Sequence, residues 1–380
     1  MLSLPQVAFI SEGTAHITNL AAEPITAVER KKKLNRRSVQ DRSQRVRYAV
    51  QWLFMALNGC IGLQFYLWVR YFERGDQGLY VSRPAGVEGW LPIAGLMNSK
   101  YLLLTGRVPA IHPAAMYLFL GFLLMSLLLK KAFCSWLCPV GTISENLWKL
   151  GRHIFGRNLR LPRGLDIPLR GLKYLLLSFF AFFIGGMSAE ALQGFMATPY
   201  GLVADVKMLN FFRDIGLTAA VVISLLMLLS MLVQNFWCRY LCPYGALLGL
   251  ASVLSPVKIR RDADACIDCG KCARVCPASL SVDQLMQIRS AECSACMVCV
   301  AACPAGNALQ FALPPRRAEA AAQRWCSRSL RPLAVAGILA YIFFGIVLLA
   351  RATNHWQTNI PRSIYMDLVP RVNEVSHPGI

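Results

Sequence analysis

Residues 266–277 read C-I-D-C-G-K-C-A-R-V-C-P, and residues 293–304 read C-S-A-C-M-V-C-V-A-A-C-P. Each is a C-x2-C-x2-C-x3-C-P run, the ligand spacing of two [4Fe–4S] clusters. Three closely spaced thiolates can wrap one cube while the fourth, before proline, reaches across to the other. That pattern assigns Cys266, Cys269, Cys272 and Cys303 to cluster 1, and Cys293, Cys296, Cys299 and Cys276 to cluster 2. Structural zinc is the alternative, but it takes four N/S ligands, usually as two separated pairs, and fits two such successive runs poorly.

Outward from these runs the chain turns apolar. Of 380 residues, 56% are hydrophobic, above the roughly 45–50% usual for soluble domains, and the mean hydropathy is +0.44. Five stretches approach the ~20 apolar residues a bilayer-crossing helix needs: about 48–72, 114–129, 172–191, 215–234 and 333–350. A weaker stretch at 90–104, interrupted by Asn98, Ser99 and Lys100, is expected to lie in the membrane interface. The fold class read from this is an all-α polytopic membrane protein of about five spans, carrying a small α+β insert of the bacterial two-cluster ferredoxin type.

The formal charge of +20 would suggest nucleic acid if it formed one patch on a soluble domain. It falls instead in blocks beside the apolar spans. Residues 1–47 carry nine Lys/Arg against four acids, 130–173 nine against two, and 235–331 twelve against six. The alternate segments are nearly balanced: 73–111 has four against three, 192–214 two against two, and 351–380 three against two. The positive-inside rule then puts the N-terminus and the ferredoxin segment in the cytoplasm and the C-terminus in the periplasm of a bacterial inner membrane. No nucleic-acid partner is expected. Residues 1–29 lack a basic region followed by a long apolar one, so no cleaved signal is expected there.

A second cysteine phrase occurs twice. F-C-S-W-L-C-P-V-G at 133–141 matches W-C-R-Y-L-C-P-Y-G at 237–245, so Cys134 pairs with Cys238 and Cys138 with Cys242. Each copy follows a span running in the same direction, which predicts a two-fold internal repeat about an axis along the membrane normal. On a helix the i, i+4 spacing would put both thiols of a copy on one face, and the repeat could bring all four together. Cys134, Cys138, Cys238 and Cys242 are therefore a candidate third redox or metal centre, for iron–sulfur, Cu(I) or zinc. Plain packing of small apolar residues and a redox-active dithiol are the other readings. The expected domains are 1–47 (basic, cytoplasmic), 48–149 and 150–254 (the membrane repeats), 255–313 (ferredoxin), 314–350 (linker and last span) and 351–380 (periplasmic tail).

The remaining signals are weaker. Cys60 and Cys326 stand alone and read as packing residues. No C-x-x-C-H occurs, so no c-type haem is expected. His112 and His355 fall near outer span ends, where a quinol site or b-type haem could use them. Glu190 is an acid in an apolar setting that either serves a pathway or reaches the outer interface.

With both motifs and the repeat together, residues 48–312 resemble the NapH/NosR-type membrane-bound 4Fe–4S polyferredoxins and their YccM-like relatives. The resemblance implies electron transfer between the quinone pool or cytoplasmic donors and a respiratory or periplasmic redox partner, by an electron-transfer subunit rather than an enzyme with its own organic substrate. Two departures stand out: no large N-terminal domain of the flavin-carrying NosR type, and a fifth span and tail with His355 and Trp356 where NapH types end. Two rival functions remain open. One is a copper reductase or assembly factor for a respiratory oxidase; the other is a cluster-based redox-sensing regulator.

Overall fold

The computed structural model describes residues 36–37, 41–314 and 328–378. Most of the basic segment 1–47, with His16, and the linker residue Cys326 lie outside the described residues. Through the membrane half the helices are α1 (Ser43–Glu73), α2 (Pro92–Thr105), α3 (Pro113–Leu129), α4 (Ala132–Trp136), α5 (Pro139–Phe155), α6 (Arg163–Gly186), α7 (Ala189–Met196), α8 (Pro199–Leu202), α9 (Ala204–Arg213), α10 (Leu217–Leu232) and α11 (Pro243–Val253). After them come strand β1 (Lys258–Arg261), α12 (Lys271–Arg274), α13 (Val298–Ala302), β2 (Leu309–Ala312), α14 (Pro332–Ala352) and α15 (Arg362–Leu368).

The five apolar stretches fall largely on helices, with 172–191 running from α6 into α7, but they are not five equal spans. Helices α1, α6 and α14, of 31, 24 and 21 residues, are each long and apolar enough to cross a membrane. Helix α10 qualifies only together with α9, and that pair is bent by 81°. Helix α3 has 17 residues, a rise of about 25 Å against a hydrocarbon core of about 30 Å. Much of it is enclosed, with Ala114, Met116, Phe119, Phe122, Met125 and Leu129 all buried, while Leu120, Leu124 and Leu128 form an exposed apolar face. A helix with no polar stripe belongs in a protein core or in a membrane.

The weaker stretch at 90–104 is folded against the bundle on one face and exposes Ile93, Leu103 and Leu104 on the other. It forms α2, packed on α3 so closely that a Cβ on Gly95 would meet the Ala115 carbonyl oxygen at 2.8 Å. Its polar residues are satisfied inside. Asn98 donates to the carbonyls of Ile111 and His112, and Ser99 to that of Gly95. The Lys100 ammonium caps the end of α6 through the Ile184 and Gly185 carbonyls, where the helix dipole favours a cation.

The cysteine-rich segment folds on a two-stranded antiparallel sheet, β1 with β2, in a register from Lys258↔Ala312 to Arg261↔Leu309. Ile259, Val282, Val300 and Phe311 fill its interior, in one continuous core with Phe122, Met125 and Trp136 of α3–α4 and Leu339 of α14. Helices α1, α6, α10 and α14 expose large apolar side chains such as Leu53, Phe182, Leu217 and Phe344. Apolar patches of this kind need a lipid or protein cover.

Candidate iron–sulfur centres

The two ferredoxin loops are built alike. In the first, Asp268 and Gly270 take left-handed φ of 53° and 63°; in the second, Ala295 and Met297 take 53° and 57°. In each loop the middle cysteine, Cys269 or Cys296, is flanked by these two residues. Non-glycine residues in the left-handed region cost energy, so the curl is imposed by the surroundings. Its effect is to turn the chain sharply on both sides of the middle cysteine of each run.

The cysteines sort into two sets. Cys276 has Cys296 and Cys293 as its electrostatic neighbours, and Cys299 has Cys296, Cys276 and Cys293 ahead of Cys272. Cys303 has Cys266 and Cys269, and Cys272 has Cys303 and Cys266. A small apolar cavity is lined by Cys276, Cys293, Cys296 and Cys299 with Ile259 and Ile288. Burial pushes the Cys276 thiol up to about 11, so binding iron there must displace a proton. Among the described residues, no three His, Cys, Asp or Glu side chains converge as ligands of a single metal ion. Thiolates on one tetrahedral ion would stand about 3.8 Å apart, whereas a cubane puts each on a different iron. The crossed sets, the twin curls and the all-sulfur donors fit two [4Fe–4S] clusters.

The duplicated phrase also comes together, though not on a continuous helix. Cys134 lies in α4 and Cys238 in a single π-turn, Trp237–Leu241. Cys138 and Cys242 have left the helix, with ψ of 120° and 104°, and are the N-caps of α5 and α11. The expected shared helix face is broken because Pro139 and Pro243 must start a new helix at its first position. Both copies close identically, with Cys138 N–H bonded to the Phe133 carbonyl and Cys242 N–H to that of Trp237. The second cysteine of each copy therefore sits at a helix N-terminus, where the dipole favours a thiolate, and Cys242 Sγ accepts from Gly245 N–H at 3.2 Å. Glycine is needed in the first copy, because a Cβ on Gly141 would stand 2.2 Å from the Cys134 carbonyl oxygen.

Cys134 has Cys138 and Cys242 as sulfur neighbours, Cys138 has Cys238 and Cys242, and Cys238 has Cys242 and Cys134. Burial pushes the thiols of Cys134, Cys138 and Cys238 up to about 12. All four line a cavity of 510 Å³ whose other walls include Phe54, Ile61, Phe122, Phe343 and Val347, and which reaches Arg83, Arg351 and Trp356. A second cavity of 190 Å³ is lined by Cys134 and Cys238 together with Glu292, Ser294 and Cys296. Lys131 borders both. Burial pulls its ammonium down, but the charges of Cys134, Glu292, Cys242 and Cys238 hold it above the usual lysine range.

The second ferredoxin loop is fastened to α4. Ser135 Oγ donates to the Ser294 carbonyl at 2.5 Å, and Trp136 Nε1 to that of Ala295 at 3.1 Å. Gln44 donates to the Cys296 carbonyl at 3.0 Å. Lys130 Nζ holds the carbonyls of Arg289 and Ser290 at 3.1 and 3.0 Å, while Lys173 Nζ pairs both oxygens of Glu292 at 2.7 Å.

Several weaker expectations change. His112 is fully buried with both ring nitrogens engaged, Nδ1 by Glu88 at 3.2 Å and Nε2 by the Gly201 carbonyl at 2.9 Å. Neither is left for haem iron. Glu190 is exposed in the first turn of α7, so it serves the helix end rather than a buried pathway. Cys60 is exposed on α1 rather than packed. Sequence reading missed the buried set around His112: Arg83 bridges Glu88 at 2.9 Å and Asp205 at 2.6 Å. These residues are separated in sequence and carry no spacing signature.

Comparison with known proteins agrees with this layout. A 4Fe–4S binding domain model matches residues 111–158 and again 215–262, and a 4Fe–4S dicluster domain model matches 258–319. The Escherichia coli protein named "Putative electron transport protein YccM" is 50% identical over 331 residues, covering 87% of this chain and 91% of its own length. The methylamine utilization ferredoxin-type protein MauN of Paracoccus denitrificans is 29% identical over 49% of this chain and 63% of its own. The ferredoxin-type protein NapH of Escherichia coli is 26% identical over 39% of this chain and 48% of its own. No solved structure matches.

Proposed function

Because this chain belongs to the family of YccM, among the NapH/NosR-type 4Fe–4S polyferredoxins that carry out iron–sulfur electron transfer, we propose that it relays electrons between the quinone pool or a cytoplasmic donor and a respiratory or periplasmic partner. One observation carries this reading: the four C-x3-C-P cysteines meet between an apolar cavity on one side and the second ferredoxin loop on the other. Cys266, Cys269, Cys272 and Cys303 would hold cluster 1, and Cys293, Cys296, Cys299 and Cys276 cluster 2. Cys134, Cys138, Cys238 and Cys242 would hold a third. When bound, these clusters supply one-electron carriage.

The protein's own contribution is to fix and insulate them. Ser135, Trp136 and Gln44 hold the second loop against α4, which keeps the two cysteine sets at a constant separation. The 510 Å³ cavity is of the size and apolar character of small-molecule sites, and the class we assign to it is an isoprenoid quinol. The charge alternation supports a cytoplasmic ferredoxin, a periplasmic tail and five crossings of the inner membrane. The twice-matched domain model, at 111–158 and 215–262, supports two membrane repeats, 48–149 and 150–254.

The test is chemical iron and low-temperature EPR on anaerobically purified full-length protein, reduced with dithionite or with a quinol. The expected content is about twelve iron atoms per chain, or about eight if the clusters are only two. Reduction by quinol is expected. Iron near zero would sink the cluster reading, and EPR signals that dithionite develops but quinol does not would remove the quinol from it.

A further inference from the structure

Three lysines crowd the junction between the ferredoxin loop and the four C-x3-C-P cysteines, and two of them are spoken for. Lys130 caps the Arg289 and Ser290 carbonyls, and Lys173 pairs Glu292. Lys131 is 5% exposed, and its charge faces Cys134, Cys238, Cys242 and Glu292. It borders the cavity beside the cysteines. Both Lys131 Nζ and Cys242 Sγ stand 3.4 Å from where a Cβ on Gly245 would lie. The Tyr244 hydroxyl is also buried without a partner, its ring held against Phe119 and Phe133 at centroid distances of 5.6 and 6.3 Å. A buried phenol without an acceptor is costly, and the Lys131 ammonium brings a positive charge to the same cavity wall. Two such donors beside four thiols point to an anionic acceptor among them.

We propose that Lys131 and Tyr244 are the charge and hydrogen-bond partners of the four-cysteine centre and set its reduction potential. The inference rests on reading Cys134, Cys138, Cys238 and Cys242 as a redox centre. Four thiolates outweigh the positive charge of an iron–sulfur core, and one further electron adds to the excess. A fixed cation beside it stabilises the reduced state more than the oxidised one and raises the potential. The donors break the symmetry of the repeat. The position matching Lys131 in the second copy is Asn235, and the one matching Tyr244 in the first is Val140. Cysteines come in equivalent pairs, but each donor comes from one copy only.

The experiment is an EPR-monitored redox titration of full-length protein, loaded with iron, in detergent under anaerobic conditions. Lys131→Met is expected to lower the reduction equilibrium constant of the four-cysteine centre about tenfold, which is ~59 mV for one electron, and to leave the two ferredoxin signals in place. Tyr244→Phe is expected to lower it about threefold, and Lys131→Arg to stay within threefold of wild type. An unmoved potential in Lys131→Met, or an equal shift of all three signals, overturns the inference. Should Lys131→Met fail to hold the centre, Lys131→Gln and Lys131→Arg decide: a lower potential in Gln alone supports it, and equal potentials overturn it. A wild-type count of about eight irons would instead remove the four-cysteine centre itself, a failure distinct from an unmoved potential at about twelve.

Discussion

Trp136 donates its indole N–H to the carbonyl oxygen of Ala295 at 3.1 Å, and both residues are buried. Trp136 lies two residues after Cys134, and Ala295 two residues after Cys293. One hydrogen bond therefore ties the duplicated cysteine phrase of the membrane half to the second ferredoxin loop. Replacing Trp136 by Phe keeps most of the apolar contact but strands that carbonyl, a cost of about 1–3 kcal/mol. The expected outcome is a lower melting temperature in detergent and faster oxidative loss of the cluster proposed at Cys293, Cys296 and Cys299. A variant with wild-type melting and wild-type oxygen tolerance would show that this bond fastens nothing.

Crossed ligation makes an unequal prediction for two cysteines that look alike in sequence. Cys276 ends the first run, yet its sulfur neighbours are Cys296 and Cys293. Cys303 ends the second run, yet its neighbours are Cys266 and Cys269. Cys276→Ser is therefore expected to perturb the signal of the 293–299 cluster, and Cys303→Ser that of the 266–272 cluster. Assigning each signal first by Cys269→Ser and Cys296→Ser makes the comparison clean, and the opposite pattern would rule out crossing.

The two glycines of the repeated phrase are not equivalent. A Cβ on Gly141 would stand 2.2 Å from the Cys134 carbonyl oxygen, a backbone atom, whereas on Gly245 the nearest atoms are 3.4 Å away. Gly141→Ala must move the backbone that presents Cys134, an overpacking cost of about 1–3 kcal/mol. It is expected to lower both melting temperature and iron content, with Gly245→Ala close to wild type. Equal behaviour of the two variants would contradict this asymmetry.

What could be read from sequence follows from what is local. The C-x2-C-x2-C-x3-C-P spacing is a short-range property, so both proposed ligand sets, Cys276 and Cys303 included, can be written down without knowing the fold. The repeat likewise anticipated the meeting of Cys134, Cys138, Cys238 and Cys242, but not their backbone, because the proline after each second cysteine ends the helix there. Hydropathy found the long apolar helices but not the burial of one face of α2 and of α3. Periodicity measures polarity, not whether the apolar surface of α3 meets lipid or protein, and Asn98 on α2 is polar yet satisfied inside. Lys131 was counted only as positive charge. Its role depends on Tyr244 and Cys242, more than a hundred residues away.

Arg47 and Glu145 give a prediction that depends on pH. Arg47 is fully buried and grips Glu145 through two bonds of 2.6 Å, while Lys149 takes the same carboxylate at 2.7 Å. Burial alone would raise the Glu145 pKa, but the Arg47 and Lys149 partners outweigh it and hold it near about 2. The unfolded value is about 4.3, so the pair's contribution, on the order of 3 kcal/mol, is fully present above that pH. It is lost as pH falls through the folded value near 2. Glu145→Gln removes the charge but leaves Arg47 buried, which should cost about 3–5 kcal/mol at neutral pH. The iron-binding cysteines are common to both proteins, so acid damage to clusters largely cancels in the difference. The wild-type advantage in melting temperature is therefore expected to stay constant from pH 8 to 5 and to shrink below about pH 4.5. An advantage that instead grows on acidification would mean that Glu145 gains no stabilisation from Arg47 in the folded protein.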